Sequence, residues 1–88
     1  MNVLEKDRQL AEKIMEFGAL CLHQARLEWL HDQFDEAEKW AKEFLRCKRD
    51  LDELIRQKKR HDELVRLVET MKERGIDVML VMRKGNEE

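Results

Sequence analysis

The stretch WLHDQFDEAEKW, residues 29–40, decides the fold, because an apolar helical pattern stops within it and a second one starts. Asp35 followed by Glu38 fits a capping box, in which an N-cap acceptor precedes an acidic residue by three positions. We therefore expect one helix to end before the run DQF and another to begin near Asp35. A tight turn about Gln33–Asp35 predicts an antiparallel helical hairpin.

The position of this turn also predicts which residues of the two helices face each other. Every helical residue advances the chain by the same rise, so residues whose numbers add up to about 68 should lie side by side. Cys21 is then expected opposite Cys47. Gly18 is expected opposite Asp50 or its neighbour.

The first helix is expected at about residues 3–31, opened by a capping box of Asn2 and Glu5. Small residues recur every seven positions on its apolar face, at Ala11, Gly18 and Ala25. A glycine inside a helix costs about 1 kcal/mol relative to alanine, so we interpret Gly18 as a position of close helix packing. The same face carries, at helical spacing, Leu4, Ile14, Met15, Cys21, Leu22 and Trp29.

Leu20 and Leu27 lie nearly opposite that apolar face of the first helix. Apolar side chains in such a place predict a second contact, either within the domain or with another protomer. Both leucines are therefore candidate partner or oligomer contacts.

The second helix is expected at about residues 35–55, and a third at about residues 61–74. An apolar stripe marks the second helix: Phe34, Ala37, Ala41, Phe44, Leu51 and Ile55, with Trp40 and Cys47 on one flank. The positions from Arg56 to Glu63 carry no apolar side chain, and the stripe then returns on a rotated face. Either the chain breaks near Arg56–His61, or one continuous helix packs its second half on something else. Gly75 should end the helical region as a C′ glycine.

The C-terminal run IDVMLVM differs in character from the rest of the chain, because it is apolar and rich in β-branched residues. It predicts a short strand or tail at 76–83, with a disordered end at 84–88. A lone strand needs a partner strand, which another protomer or a target protein would supply. A helical continuation is the alternative. The candidate contact residues here are Val78, Met79, Leu80, Val81 and Met82.

The stretch HDQFDEAEKWAKEF resembles the centre of a tetratricopeptide repeat. Phe34 stands at the aromatic turn position of that pattern, and Ala37 at the small position of its second helix. The chain contains no second copy of the pattern, so the resemblance implies a helix–turn–helix hairpin rather than a repeat array.

Composition limits the class of protein. Charged residues make up 43% of the 88 residues, aromatic residues 6%, and proline is absent, which is typical of long helices and coiled coils. A chain of this length forms one domain at most, residues 1–88, and buries only about 60–65% of its unfolded surface. We expect a mainly α, small helical bundle that forms a homodimer or higher oligomer, most simply with two-fold symmetry.

Location is predicted from the same composition. The net charge of −2 does not select nucleic acid or an anionic membrane surface. No apolar run approaches the roughly 20 residues of a membrane span, and the N-terminus lacks the pattern of a signal peptide. Two cysteines are too few for a disulfide scaffold, so we expect a cytoplasmic protein that does not contact a membrane.

The segment 46–60 is locally basic, with seven Lys or Arg residues among its fifteen positions. Helical spacing puts Arg56, Lys59 and Arg60 on one face, where they could contact successive phosphates. No aromatic residue is interleaved. A solvated helix face explains the same pattern, and nucleic-acid binding is the alternative.

Arg56 and His61 have the spacing R-x4-H, which resembles the Arg/His signature of the HEPN family of helical ribonucleases. In that family both residues line a dimer cleft and act on the 2′-hydroxyl and the scissile phosphate. The resemblance, which covers six residues, implies a ribonuclease site at Arg56 and His61.

No other pattern indicates catalysis or a bound cofactor. Serine and tyrosine are absent and Thr70 is the only threonine, so no nucleophile–base pair stands out. Cys21, Cys47 and His23 could approach one another across the hairpin, but zinc needs about four ligands. We therefore expect buried structural cysteines, no metal, no cofactor, no small-molecule substrate and no enzymatic activity.

These observations favour a non-enzymatic protein–protein interaction module: an adaptor, a chaperone-like protein or an inhibitor. It would bind itself and another protein through helix faces and the Met-rich tail, since methionine adapts readily to varied contacts. The alternative is a small nucleic-acid-binding regulator that uses segment 46–60. An engineered helical protein is a third interpretation, and the free cysteines and interrupted stripe argue against an idealised design.

Overall fold

The computed structural model describes residues 1–75 of the chain. They form a 3-10 helix at Glu5–Asp7, helix α1 at Arg8–Leu30 and helix α2 at Phe34–Glu73, and none of these 75 residues is in a strand. The mainly helical class and the hairpin of two packed helices are therefore confirmed. The predicted strand or tail at 76–83 and the end at 84–88 lie outside the described residues.

The chain divides into two compact units. The first, Met1–Lys58, contains α1 and the part of α2 that packs against it. The second begins at Lys59, and its described part comprises the last turns of α2 and the turn that follows them.

The turn between the helices is a Schellman motif, a helix end closed by two backward hydrogen bonds. The Gln33 N–H donates to the Glu28 carbonyl at 2.8 Å, and the Asp32 N–H donates to the Trp29 carbonyl at 3.2 Å. Asp32 has a φ of 63°, in the left-handed region where glycine is usual. The chain thus reverses before Phe34, earlier than the predicted turn at Gln33–Asp35.

The earlier turn changes the register of the hairpin. Cys21 lies next to Cys47, as predicted. Gly18, however, packs against Cys47 and Phe44 rather than against Asp50, so that prediction is wrong. The error is about one helical turn of α2, because a shorter connection brings earlier residues of α2 opposite α1.

The N-terminal residues also depart from the prediction, because α1 does not begin at residue 3. Leu4 is extended, with φ −60° and ψ 146°, and makes no side-chain cap; the Asn2–Glu5 capping box accordingly plays no part in starting α1. The extended segment lets Val3 pack on Ala11 and Leu54, with Ile14 and Leu51 against the cluster. The free energy gained by burying Val3 thus offsets the loss of the first helical turn that the sequence pattern favours.

Helix α2 continues through Arg56–Glu63, so the segment 61–74 is not a separate third helix, and of the two alternatives the continuous helix is confirmed. Every residue in this segment tolerates a helix, and neither glycine nor proline interrupts it. Local ion pairs support the backbone, as where Arg56 donates to Glu53 at 2.6 Å. An apolar stripe can therefore disappear while the backbone hydrogen bonds of the helix continue.

The described part of the second unit ends as the sequence predicts. Helix α2 stops at Glu73, and Gly75 has a φ of 74°, which confirms it as the left-handed residue at the helix end. Leu64, Val65 and Leu67 are exposed along the last turns of α2.

Candidate functional site

The seam between α1 and α2 is made of small side chains. Its buried members in the first unit are Ala11, Gly18, Cys21, Ala37 and Cys47. A Cβ added to Gly18 would lie 3.5 Å from the Cys47 Cβ and 3.7 Å from Phe44 Cδ1. Since the helices approach this closely at Gly18, large apolar side chains lie along the sides of the seam there, and Leu54 is the large side chain buried against Ala11.

One side of the hairpin is apolar on both helices, and we call it the open face. Its middle is a groove lined by Met15, Ala19 and Leu22 of α1 and by Phe44 and Leu51 of α2. A second groove near the turn is lined by Ala25, Trp29, Phe34, Ala37 and Ala41. Both grooves lie on the same side, because seven residues separate Met15, Leu22 and Trp29, as they separate Phe34 from Ala41.

The large side chains of the open face remain accessible to solvent. Met15 is 52% exposed, Leu22 49%, Trp29 61% and Phe34 52%. The Trp29 and Phe34 rings meet edge to face, with their centroids 4.8 Å apart. The hairpin therefore orders this apolar surface without covering it.

Charges of both signs border the open face. Arg26, Asp35 and Glu38 line the groove near the turn. In the middle groove the only charged lining residue is Lys48, whose Nζ lies 2.6 Å from Asp52 Oδ2. The face is thus an apolar strip whose few charges are either at its edge or already paired.

The predicted contact residues on α1 do not belong to this face. Leu20 is 47% exposed and Leu27 is 36% exposed, but neither lines the two grooves. They lie on the other flank of α1, nearly half a helical turn from Leu22 and Trp29. The remaining predicted contacts, Val78, Met79, Leu80, Val81 and Met82, lie outside the described residues.

Four open-face residues were assigned to the hairpin interior by sequence: Met15, Leu22, Trp29 and Phe34. The signal that marks the three on α1 is a second seven-residue repeat, offset by four positions from the small-residue repeat. Two adjacent apolar repeats on one helix indicate a face that is wider than a single neighbour can cover.

The basic segment is interspersed with carboxylates in the structure. Arg56 donates to Glu53 through Nε at 3.1 Å and through Nη2 at 2.6 Å. Arg46 pairs with Glu43 at 3.4 Å. In the second unit Lys59 and Arg60 are exposed. The paired cations carry opposite charge beside them, which lowers the positive potential that a phosphate would meet.

The two cysteines of the hairpin, Cys21 and Cys47, are neighbours in the seam. Both are buried and neither is in a disulfide. Burial, the neighbouring Cys47 and the carboxylate of Glu43 raise the pKa of the Cys21 thiol above its ordinary value. His23 is exposed. The described residues contain no cluster of three or more His, Cys, Asp or Glu that could hold a metal ion.

The remaining sequence candidates are Arg56 and His61. Arg56 is engaged by Glu53, and His61 is exposed. Neither α1 nor the described length of α2 is apolar enough to cross a bilayer. Comparison of the chain with protein-family models, with curated proteins and with solved structures found no match.

Proposed function

We propose that this protein is a non-enzymatic interaction module that self-assembles, with a second copy of the hairpin covering the open face. The observation that carries the proposal is the contrast between a thin interior and a broad exposed strip. The seam buries alanine, glycine and cysteine, whereas Met15, Leu22, Trp29 and Phe34 stay about half exposed.

The energetics of a two-helix hairpin favour a permanent neighbour. Fixing each residue costs about 1–2 kcal/mol of backbone entropy, which burial of apolar surface has to offset. In the first unit the larger buried aliphatic residues are Val3 and Leu54. A surface needed for folding must be covered whenever the chain is made, and a second copy is always present at equal concentration.

The size and pattern of the open face fit such a pairing. Large side chains that are half exposed contribute roughly 100 Å² each, so the strip offers on the order of 500 Å², a large part of the ~800 Å² per partner in a standard interface. Apolar positions repeat every seven residues on both helices, which is the pattern of left-handed helical bundles. Two hairpins would together form a four-helix bundle.

The charges at the edge of the face are compatible with two-fold symmetry. In a symmetric contact, residue i of one copy meets residue j of the other, and j meets i. One cation, Arg26, and two carboxylates, Asp35 and Glu38, border the same groove. A symmetric pairing can therefore place each Arg26 near these carboxylates of the second copy.

The test is the solution mass of two leucine variants by light scattering over a range of concentrations. Leu22→Glu puts a charge on the open face. Leu20→Glu is the matched control, because both leucines lie on α1 and are almost equally exposed, 49% and 47%, but on opposite flanks. We expect a wild-type dimer or larger assembly, dissociation by Leu22→Glu and no change with Leu20→Glu.

The outcomes separate the candidate surfaces. A wild-type chain that stays monomeric and folded overturns the proposal. Dissociation by Leu20→Glu but not by Leu22→Glu would assign assembly to the Leu20–Leu27 flank that the sequence predicted. A chain truncated after Gly75 tests the contribution of the Met-rich tail, and loss of assembly in that chain alone would move the interface to residues 76–82.

A further inference from the structure

We propose that Cys21 and Cys47 form a modification site, at which a small disulfide or another two-electron thiol oxidant joins them in an intrachain disulfide. This disulfide links α1 covalently to α2. The bond lies within one chain, so the proposal does not rest on self-assembly. The proposed interaction function does not involve these two thiols.

The geometry brings the two sulfur atoms together at the seam. Cys21 and Cys47 are both buried and free, and Cys47 is the side-chain neighbour that acts on the Cys21 thiol. Gly18, one helical turn before Cys21, allows the close approach, because the Cys47 Cβ lies 3.5 Å from where a Cβ of Gly18 would be. A disulfide needs Cβ atoms about 3.5–4.5 Å apart, a separation that only closely packed helices provide.

The two cysteines differ in access. Cys21 is fully buried at 0% exposure, whereas Cys47 is 7% exposed and lines the middle groove of the open face. An oxidant arriving from solvent therefore meets Cys47 first. Cys21 is shielded from solvent but lies within reach of Cys47.

The chemistry proceeds by two thiol–disulfide exchanges. The Cys47 thiolate attacks one sulfur of the small disulfide, whose S–S bond breaks and releases one small thiol. The Cys21 thiolate then attacks the Cys47 sulfur of the mixed disulfide and releases the second small thiol. The protein loses two electrons and two protons, and the two released small thiols take up these electrons and protons.

The environment makes this bond slow to form and slow to break. The thiolate is the attacking species, so the raised pKa of Cys21 keeps the rate low at neutral pH. Once formed, the bond is shielded by the packed seam from small reductants. Its expected effect is a rise of roughly 10 °C in the unfolding midpoint, because it closes the loop that contains the turn.

The experiment treats the intact chain with oxidised glutathione and follows its mass. In the wild type we expect loss of two hydrogen atoms with no retained glutathione. Cys21→Ala should keep one glutathione on Cys47, because the resolving thiol is gone. Cys47→Ala should react about tenfold more slowly, since only the shielded Cys21 remains.

Further measurements keep the test decisive. The variants are compared by helical circular dichroism, and the wild-type result stands by itself if a variant fails to fold. Leu22→Glu is treated in parallel, because assembly would cover the groove that leads to Cys47. Glutathione retained on both cysteines, bonds only between chains, or no intrachain bond in either wild type or Leu22→Glu would overturn the proposal.

Discussion

Gly18 packs against Cys47 at ordinary van der Waals distance: a Cβ built on the glycine would be 3.5 Å from the Cys47 Cβ. This spacing sets the distance between α1 and α2 at the centre of the hairpin. The helices therefore pack closely at Gly18 but leave a small space, in which a methyl group fits and a larger side chain does not.

Gly18→Ala should stabilise the hairpin by up to about 1 kcal/mol, because alanine is the better helix former and its methyl meets Cys47 at contact distance. Gly18→Val is the matched variant. Its additional methyls enter the space of Phe44 and Cys47, so we expect a loss of roughly 1–3 kcal/mol. Urea unfolding followed by circular dichroism measures both. Destabilisation by alanine would show that the helices pack more closely in solution.

Asp32→Gly should raise the free energy of unfolding by roughly 0.5–1 kcal/mol. Asp32 holds a φ of 63°, which a Cβ disfavours and glycine adopts freely. Asp32→Asn separates charge from conformation, since asparagine also tolerates this region but is neutral. If Asn gave the whole gain, the carboxylate near the end of α1, not the backbone, would be the cause. Thermal unfolding at matched pH distinguishes them.

Sequence periodicity was sufficient for the seam and insufficient for its register. The repeat of Ala11, Gly18 and Ala25 indicated close packing, and Cys21 does meet Cys47. The predicted partner of Gly18 was wrong because the turn uses Asp32 in a left-handed conformation. The end of α1 agrees with the predicted end near residue 31, but α2 begins at Phe34 without a longer connection, and this shifts the register.

The other errors have a common cause, which is that hydrophobic pattern and backbone continuity are separate properties. Arg56–Glu63 lost the apolar stripe but kept helix-forming residues and local ion pairs, so α2 continued. The open face was not predicted from the sequence for a related reason. Met15 and Leu22 lie beside the seam residues in the helical pattern, and only the distance between the helices decides that they stay exposed.

Leu54→Ala should destabilise the chain by about 2–3 kcal/mol, near the low end for buried leucines because the cluster is small. Leu54 is 8% exposed and packs with Val3 and Ala11. Leu45→Ala on the same helix is the control, since Leu45 is 53% exposed and should change stability by less than about 0.5 kcal/mol.

The same substitution tests whether the N-terminal segment belongs to the core. Val3→Ala combined with Leu54→Ala should cost less than the two single losses added together, because the residues share one cluster. Additive losses would mean that Val3 does not pack on Leu54 in solution. Chemical denaturation of the four chains completes the double-mutant cycle.

Stability should fall at alkaline pH under reducing conditions, in part through Cys21. Burial, Cys47 and Glu43 raise the pKa of Cys21 in the folded chain above 9.0. Above about pH 9 the unfolded chain loses this proton while the folded chain keeps it, so the folded state is favoured below that pH and loses this advantage as pH rises through the folded pKa. Cys21→Ala should flatten the alkaline decline, and an identical decline in that variant would contradict the prediction.

Reversing the charges of Arg56, Lys59 and Arg60 to glutamate should leave the solution mass unchanged if the open face carries assembly. Loss of the exposed Arg56–Glu53 pair should cost only about 0.5 kcal/mol. The matched control reverses Lys6, Arg8 and Lys13, which gives the same change in net charge on another part of the chain. We expect neither triple variant to alter binding to a fluorescent single-stranded RNA or a DNA duplex. Wild-type binding that weakens steeply with salt and is lost only in the Arg56 set would instead support the nucleic-acid alternative.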